Sequence, residues 1–311
     1  MIAVIAFGGN ALLRPEDHGT VTEQLHRAND AALWLVPLTH QGYKLVVVHG
    51  NGPQVGNILI QMEEASIKVP PFSLDVCVAI SEGSMGYMLE RSLRNNLRKR
   101  GMNKEVACVI TQVMVDPRDP AFENPTKPIG PFLTAFRAQQ LKKEKKWPMI
   151  EDSGRGYRRV VASPIPERIL NIEVIRSLIK EGICVIAAGG GGVPAYYDAH
   201  ENVKGVDAVI DKDYTSSLLA AQLKADLFVI LTNVDQVAIN FGKKSQKNLF
   251  KVRVKDMQRY FDRGHFPPGS MGPKIKAALD FIESGGKEVL ITSSKELLRA
   301  MRGLTGTHIT R

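Results

Sequence analysis

Cysteine is scarce in this sequence of 311 residues: there are three, Cys77, Cys108 and Cys184, each inside an apolar run and none in a CxxC or Cys/His spacing. An odd, scattered set excludes a disulfide-stapled scaffold and reads as buried thiols in a reducing compartment. Apolar stretches fall well short of the roughly 18 residues that cross a bilayer. Met1 to Phe7 runs into glycines without a basic leader, so the expected location is the cytoplasm and no membrane partner is expected. The sequence also lacks a GxxxxGK[ST] loop, a GxGxxG fingerprint, an HExxH or other paired histidine spacing, and a GxSxG elbow. Those absences speak against P-loop nucleotide hydrolysis, zinc chemistry and serine hydrolysis, and leave no residue assigned to a protein-held metal. Neither an internal repeat nor a low-complexity tract is present.

What remains is an ordinary globular composition, 44% hydrophobic and 23% charged, in a 34.3 kDa chain long enough for about two lobes. The formal charge of +9 favours an anionic partner. No basic stretch is interleaved with aromatics, however, so a nucleic acid is not the expected one.

Short apolar runs at residues 2–7, 44–48, 105–110, 183–187, 227–231 and 288–292 alternate with helical patterns. Strands without polar alternation are buried on both faces. With helices between them, they predict an α/β fold, a largely parallel sheet sandwiched by helices. Thr20 with Glu23 forms a capping-box pattern before a helix ending near Gly42, and Asn171 with Gly182 brackets another. Residues 116–166 break the alternation. They hold eight of the 17 prolines and the basic run 142–146, which argues against a central strand or long helix and for a small flap with its own hairpin. The sheet is expected to divide near residue 182, giving lobes 1–182 and 183–311.

Glycines gather where strands end: Gly8-Gly9-Asn10, Gly50-Asn51-Gly52 and Gly189-Gly190-Gly191-Gly192. In an open parallel sheet these ends share one edge, where backbone N–H groups and helix N-termini favour an anion. A turn needing positive φ explains any one loop equally well. Four glycines in a row cost conformational entropy without adding packing, which points to a close backbone approach. Thr232-Asn233-Val234-Asp235 closes another strand with polar groups suited to a nucleotide, or to an Asx turn. Lys212 and Lys274 both fall at the start of predicted helices, the wrong end for a cation, and a bound anion resolves that conflict. Asp213 serves either as a helix cap or as a carboxylate that fixes two ammonium groups; the two roles are compatible. His49 is given no catalytic role.

Together GGNA (8–11), HGNGPQVGN (49–57), TKPIGPF (126–132), AGGGGVP (188–194), VIDKD (209–213), TNVD (232–235) and GSMGPK (269–274) closely resemble the carbamate kinases of the amino acid kinase family. The resemblance runs in order over almost the whole chain. It implies a three-layer αβα sandwich with an open, mainly parallel eight-stranded sheet and a protruding lid subdomain at 116–166. It further implies an acceptor lobe (1–182), a nucleotide lobe (183–311) and a homodimer. Gly8, Gly9, Asn10, Gly50 and Asn51 match the carbamate and phosphoryl loops. Lys212 and Lys274 match the lysines that stabilise the transferred phosphoryl, Asp213 the aspartate that orients them, and Lys127 a lysine delivered by the lid. Gly189, Gly190, Gly191, Thr232, Asn233, Asp235 and Met271 fall to the nucleotide. The implied reaction is reversible transfer between ATP, carried with Mg2+, and carbamate, giving carbamoyl phosphate and ADP, also toward ATP synthesis in arginine catabolism. Another acceptor (acetylglutamate, aspartate or UMP) or a non-catalytic nucleotide sensor on the same fold are the alternatives.

Overall fold

The computed structural model describes residues 1–8, 17–152 and 154–311. Its main sheet has eight strands in the order Lys251–Arg253, Thr307–Thr310, Glu288–Ser293, Leu227–Thr232, Ile2–Phe7, Lys44–Val48, Cys184–Ala187 and Val106–Val109. All neighbours run parallel except Thr307–Thr310, which is antiparallel to Glu288–Ser293. The helices are α1 (Val21–His40), α2 (Gly52–Ala65), α3 (Leu74–Lys99), α4 (Ala135–Lys145), α5 (Ile172–Lys180), α6 (Lys212–Gln222), α7 (Val254–Asp262), α8 (Met271–Glu283) and α9 (Leu297–Met301).

Why the central strands are apolar throughout is visible in the two cores. Val4, Ala6, Val46, Val48, Phe228 and Ile230 enter one, with Ile175 of α5, Leu219 of α6 and Ile275 of α8. Ala3, Ile5, Phe7, Leu45, Val47 and Val229 enter the other, with Leu35 of α1, Leu89 of α3 and Leu297 of α9. Successive side chains of one strand thus serve opposite layers, which yields the three-layer sandwich. Each fully buried large side chain contributes about 1.5–3 kcal/mol; Phe228 adds an edge-on contact with Phe281, ring centroids 5.6 Å apart. The capping box holds as well: Thr20 Oγ1 accepts the Glu23 N–H, and Glu23 Oε2 accepts the Thr20 N–H at 2.8 Å.

Beyond residue 182 the chain stays for a time with the amino-terminal elements. Cys184–Ala187 lies between Lys44–Val48 and Val106–Val109, and Val193–Tyr197 pairs with Gln112–Val115 in a separate four-stranded sheet. The crossing to the other half of the main sheet comes with α6.

Within residues 116–166, strands Lys127–Leu133, Tyr157–Val161 and Met149–Glu151 form an antiparallel sheet of their own, in that order, accompanied by α4. This is more than the expected hairpin flap. Pro128 and Pro131 are confined to an edge strand, where a missing N–H is tolerated, and the 11 residues of α4 contain no proline. The subdomain presses on α2 through a pair of glycines: a Cβ on Gly56 would overlap the backbone of Gly130, itself at φ +75°. No helix among the described residues is long and apolar enough to cross a membrane.

Candidate active site

The strand ends and helix starts form two adjoining cavities that share Ser270 and Lys274. One, of about 620 Å³, is lined by Gly50 and Asn51, by Lys127 of the lid, by Gly190, and by Asp211, Lys212, Asp213 and Lys274. The other, of about 400 Å³, is lined by Gly8, Thr232, Asn233, Gln236, Phe241, His265, Phe266 and Met271, among others.

At the junction stands a cluster of charges. Lys212 Nζ donates to Asp213 Oδ1 at 2.6 Å, and Lys274 Nζ donates to Asp213 Oδ2 at 2.9 Å. One buried carboxylate therefore holds two ammonium groups that are 62 positions apart in sequence, counting from 212 to 274. Both lysines lie in the first turn of their helices, α6 and α8, as their sequence context predicts. The capping question is also resolved. Asp211, not Asp213, caps α6, its Oδ1 accepting the Asp213 N–H at 2.9 Å, so the Asp213 side chain is free for the lysines. The second oxygen of Asp211 accepts from Lys127 Nζ at 2.5 Å, which ties the lid to the same helix end.

The electrostatics follow from burial and proximity. Burial pushes the Asp213 carboxyl up, but the Lys212 and Lys274 ammonium groups outweigh it and hold Asp213 below the usual carboxylate range. Burial likewise opposes the charge on Lys274, yet Asp213 holds it above the ordinary lysine value. For Lys212 burial prevails, with the Lys274 charge acting in the same sense, and its value falls. The three lysines and two aspartates sum to one net positive charge, 3 − 2 = +1, before any ligand enters. That excess positive charge at the wall of a cavity makes the cluster suited to an anionic ligand.

The glycine loops take their places around this cluster. Gly50 and Asn51 follow strand Lys44–Val48 at the start of α2, with Pro53 in its first turn. Gly190, Gly191 and Gly192 have φ of +68°, +100° and +81°, and a Cβ at Gly190 would overlap the Asn51 amide. Both the turn and the close approach are thus at work in the four-glycine run. Of this run only Gly190 lines either of the two cavities, and it lines the larger; Gly189 and Gly191 are buried against His49 and Ile210. Gly8 lines the cavity that also holds Thr232, Asn233 and Met271. Asp235 is exposed and lines neither cavity, its carbonyl accepting from the Thr292 hydroxyl at 3.2 Å. Gly9 and Asn10 lie outside the described residues.

Several site residues escaped the sequence reading. Asp211 stood beside Lys212 in VIDKD and was legible as a carboxylate at a helix start. Arg158 lines the larger cavity from the subdomain at 116–166, donating to the Gly130 carbonyl at 3.0 Å and to Asp152 at 3.1 Å, with no local motif to announce it. Phe241, His265 and Phe266 come from loops equally devoid of signal.

Among the described residues no three His, Cys, Asp or Glu side chains gather as a metal site.

A profile described as the amino acid kinase family matches residues 1–293. The carbamate kinase of Pyrococcus horikoshii is 46% identical over 309 residues, covering 99% of this chain and 98% of that one. Among solved structures, carbamate kinase from Giardia lamblia bound to citric acid superposes with a TM-score of 0.95 at 39% identity, covering 99% and 98% of the two chains. The same Giardia enzyme bound to AMP-PNP gives 0.91 at 39% identity, with the same coverage.

Proposed function

The chain belongs to the amino acid kinase family, and from that membership and the cation cluster we propose that it transfers a phosphoryl group reversibly between MgATP and carbamate. The observation that carries this reading is the pair Lys212 and Lys274 on one buried Asp213, with Lys127 across the same cavity.

In the forward direction a carbamate oxygen attacks the γ-phosphorus as the bond to the ADP oxygen breaks, its electron pair leaving with ADP. The products are carbamoyl phosphate and ADP. The transition state needs alignment and charge neutralisation more than covalent help. Lys212 and Lys274 neutralise the phosphoryl oxygens, and Asp213 keeps both amines aimed. Carbamate is already anionic at its attacking oxygen, so no general base is required. Like charges brought together at about 4 Å repel by about 4 kcal/mol at an effective dielectric near 20, and three nearby ammonium groups offset this. Lys127 couples that service to lid closure: it leaves Asp211 for the acceptor as the ligand enters. Mg2+ would be held by phosphate oxygens, with Asp211 the carboxylate best placed to take one of its waters, and it would add positive charge at the phosphates.

The nucleotide base fits the cavity walled by Phe241, Phe266 and Met271, with Thr232 and Asn233 as polar partners. The acceptor lobe is amino-terminal and the nucleotide lobe carboxy-terminal. A homodimer through α3 is supported by an exposed apolar stripe of Val76, Ile80 and Tyr87, with Ile110 beside Gly83. Three free cysteines fit a cytoplasmic location. Coupled ATP formation from ADP and carbamoyl phosphate tests the reading, with acetylglutamate and UMP as competing acceptors in the ATPase direction. Turnover with those acceptors alone would overturn it.

A further inference from the structure

Glu82, in the middle of α3, lines neither cavity and is fully buried. Its Oε1 accepts the Gly189 N–H at 2.8 Å and its Oε2 the Thr111 N–H at 3.1 Å. Thr111 in turn accepts the Ala188 N–H at its hydroxyl, 2.9 Å, and donates that hydroxyl to the Val109 carbonyl at 2.7 Å. The next amide, Gly190 N–H, donates to the His49 carbonyl at 2.6 Å. One residue earlier in α3, Ser81 accepts from the Asn51 side-chain amide at 2.8 Å and passes its own proton to the Val78 carbonyl at 2.7 Å.

Consecutive residues of one helix thus hold the two loops that meet at the phosphoryl cavity. Ser81 fixes Asn51, and Glu82 fixes the strand end that carries Gly190. There is no slack between the loops: Gly190 has no room for a Cβ against Asn51, and a Cβ on Gly189 would lie 3.0 Å from Glu82 Cγ and overlap the His49 ring. Ala188, just before the glycines, is held at φ +51°, a left-handed conformation that a residue with a side chain adopts only under constraint.

A carboxyl in this place is costly. Burial pushes it up to about 8, against the two N–H donors that favour its charge, and among the described residues it forms no ion pair. An apolar side chain would pack there without that penalty. What only a carboxyl of this length provides is two oxygens for two amides 78 residues apart, from Thr111 to Gly189.

We propose that Glu82 is a positioning residue for phosphoryl transfer: by holding the Thr111 and Gly189 amides it sets Gly190 against Asn51 and so fixes the floor on which the transferred group rests. The inference rests on the reading of the site as a carbamate-dependent phosphotransferase.

The test compares wild type with Glu82→Gln, which keeps shape but leaves one amide facing an NH2 group, and with Glu82→Asp, which keeps the carboxyl and falls one methylene short. For each, kcat and the KM values for ADP and carbamoyl phosphate are measured beside the thermal midpoint. The expected result is kcat lowered at least about tenfold in both variants, an ADP KM within about twofold of wild type, and a cooperative thermal transition retained. Wild-type kcat in either folded variant would overturn the proposal. So would a loss of activity that follows only the fraction of folded protein, or failure of both variants to fold, since each makes Glu82 a residue of stability alone. Inactive wild-type enzyme would instead overturn the assigned reaction, which keeps the two failures distinct.

Discussion

Replacing Asp213 by asparagine removes one charge and almost no volume from the centre of the site. Asp211 still caps α6, so the helix start that carries Lys212 stays formed. The amide cannot serve both amines: one oxygen is exchanged for an NH2 group facing an ammonium, so one of the contacts at 2.6 and 2.9 Å is lost and the other is no longer an ion pair. A hydrogen bond to a charged group is worth about 1.5–3 kcal/mol. Loss of one such bond and weakening of the other therefore amounts to about 2 kcal/mol or more, with mutual repulsion of the amines added. The ligand-free protein bears that loss as stability. Bound phosphates return part of it, so ADP and phosphate should raise the variant's thermal midpoint more than that of wild type. In turnover the amines are no longer held in place, and a barrier increase of roughly 2.7 kcal/mol lowers kcat about a hundredfold. Asp213 also raises the Lys212 pKa against the effect of burial. Without it Lys212 loses its proton at lower pH, and the alkaline limb of the rate profile moves toward acid. The assay is ATP formation from ADP and carbamoyl phosphate, coupled to hexokinase and glucose-6-phosphate dehydrogenase, over a pH series. A variant within threefold of wild-type kcat, with an unmoved alkaline limb, would refute the reasoning.

Lys127→Ala should raise the KM for carbamoyl phosphate and leave the thermal midpoint nearly unchanged, because its half-buried pair with Asp211 adds little stability; a large drop in midpoint would make Lys127 structural. Gly56→Ala drives a methyl into the Gly130 backbone and should cost about 1–3 kcal/mol, read as a lower denaturant midpoint with faster proteolysis within residues 116–166; unchanged stability would deny the tight seating of the lid. His308 donates to Glu288 at 2.6 Å, and that bond holds the imidazolium above the ordinary histidine value despite burial. Its contribution to stability is full below about pH 6.5 and is lost as pH rises through the higher folded-state value. The advantage of wild type over His308→Gln in thermal midpoint should therefore shrink between neutral and mildly alkaline pH, and a constant difference would contradict the pairing.

Legibility in the sequence followed the range of the physics involved. The strands of the main sheet's interior were readable because burial on both faces leaves runs such as IAVIAF and KLVVV without polar interruption; the half-buried edge strand Val106–Val109 was found as well, and the observed limits of all six differ by a residue or so. Lys212 and Lys274 stood out because a cation at a helix start violates a local rule, and the structure supplies Asp213 as the shared answer. DKD, by contrast, offers two aspartates at one helix start, and only coordinates distinguish Asp211 as the cap from Asp213 as the bridge. The Gly56–Gly130 contact and the hold of Glu82 on Gly189 join segments far apart in the chain, and nothing local marks either partner. Phe241 and Phe266, which wall the smaller cavity, read as loop residues because only the fold brings them to it. In the lid, prolines obscured a three-stranded sheet since they occupy its edge strand.

The most direct measurement is a crystal structure of the enzyme with ADP, Mg2+ and tetrafluoroaluminate, a mimic of the phosphoryl in transfer. The expected result places the Nζ atoms of Lys212 and Lys274 each within about 3 Å of the planar anion, with Asp213 between them. An anion seated elsewhere, or either amine turned away from it, would contradict the central claim.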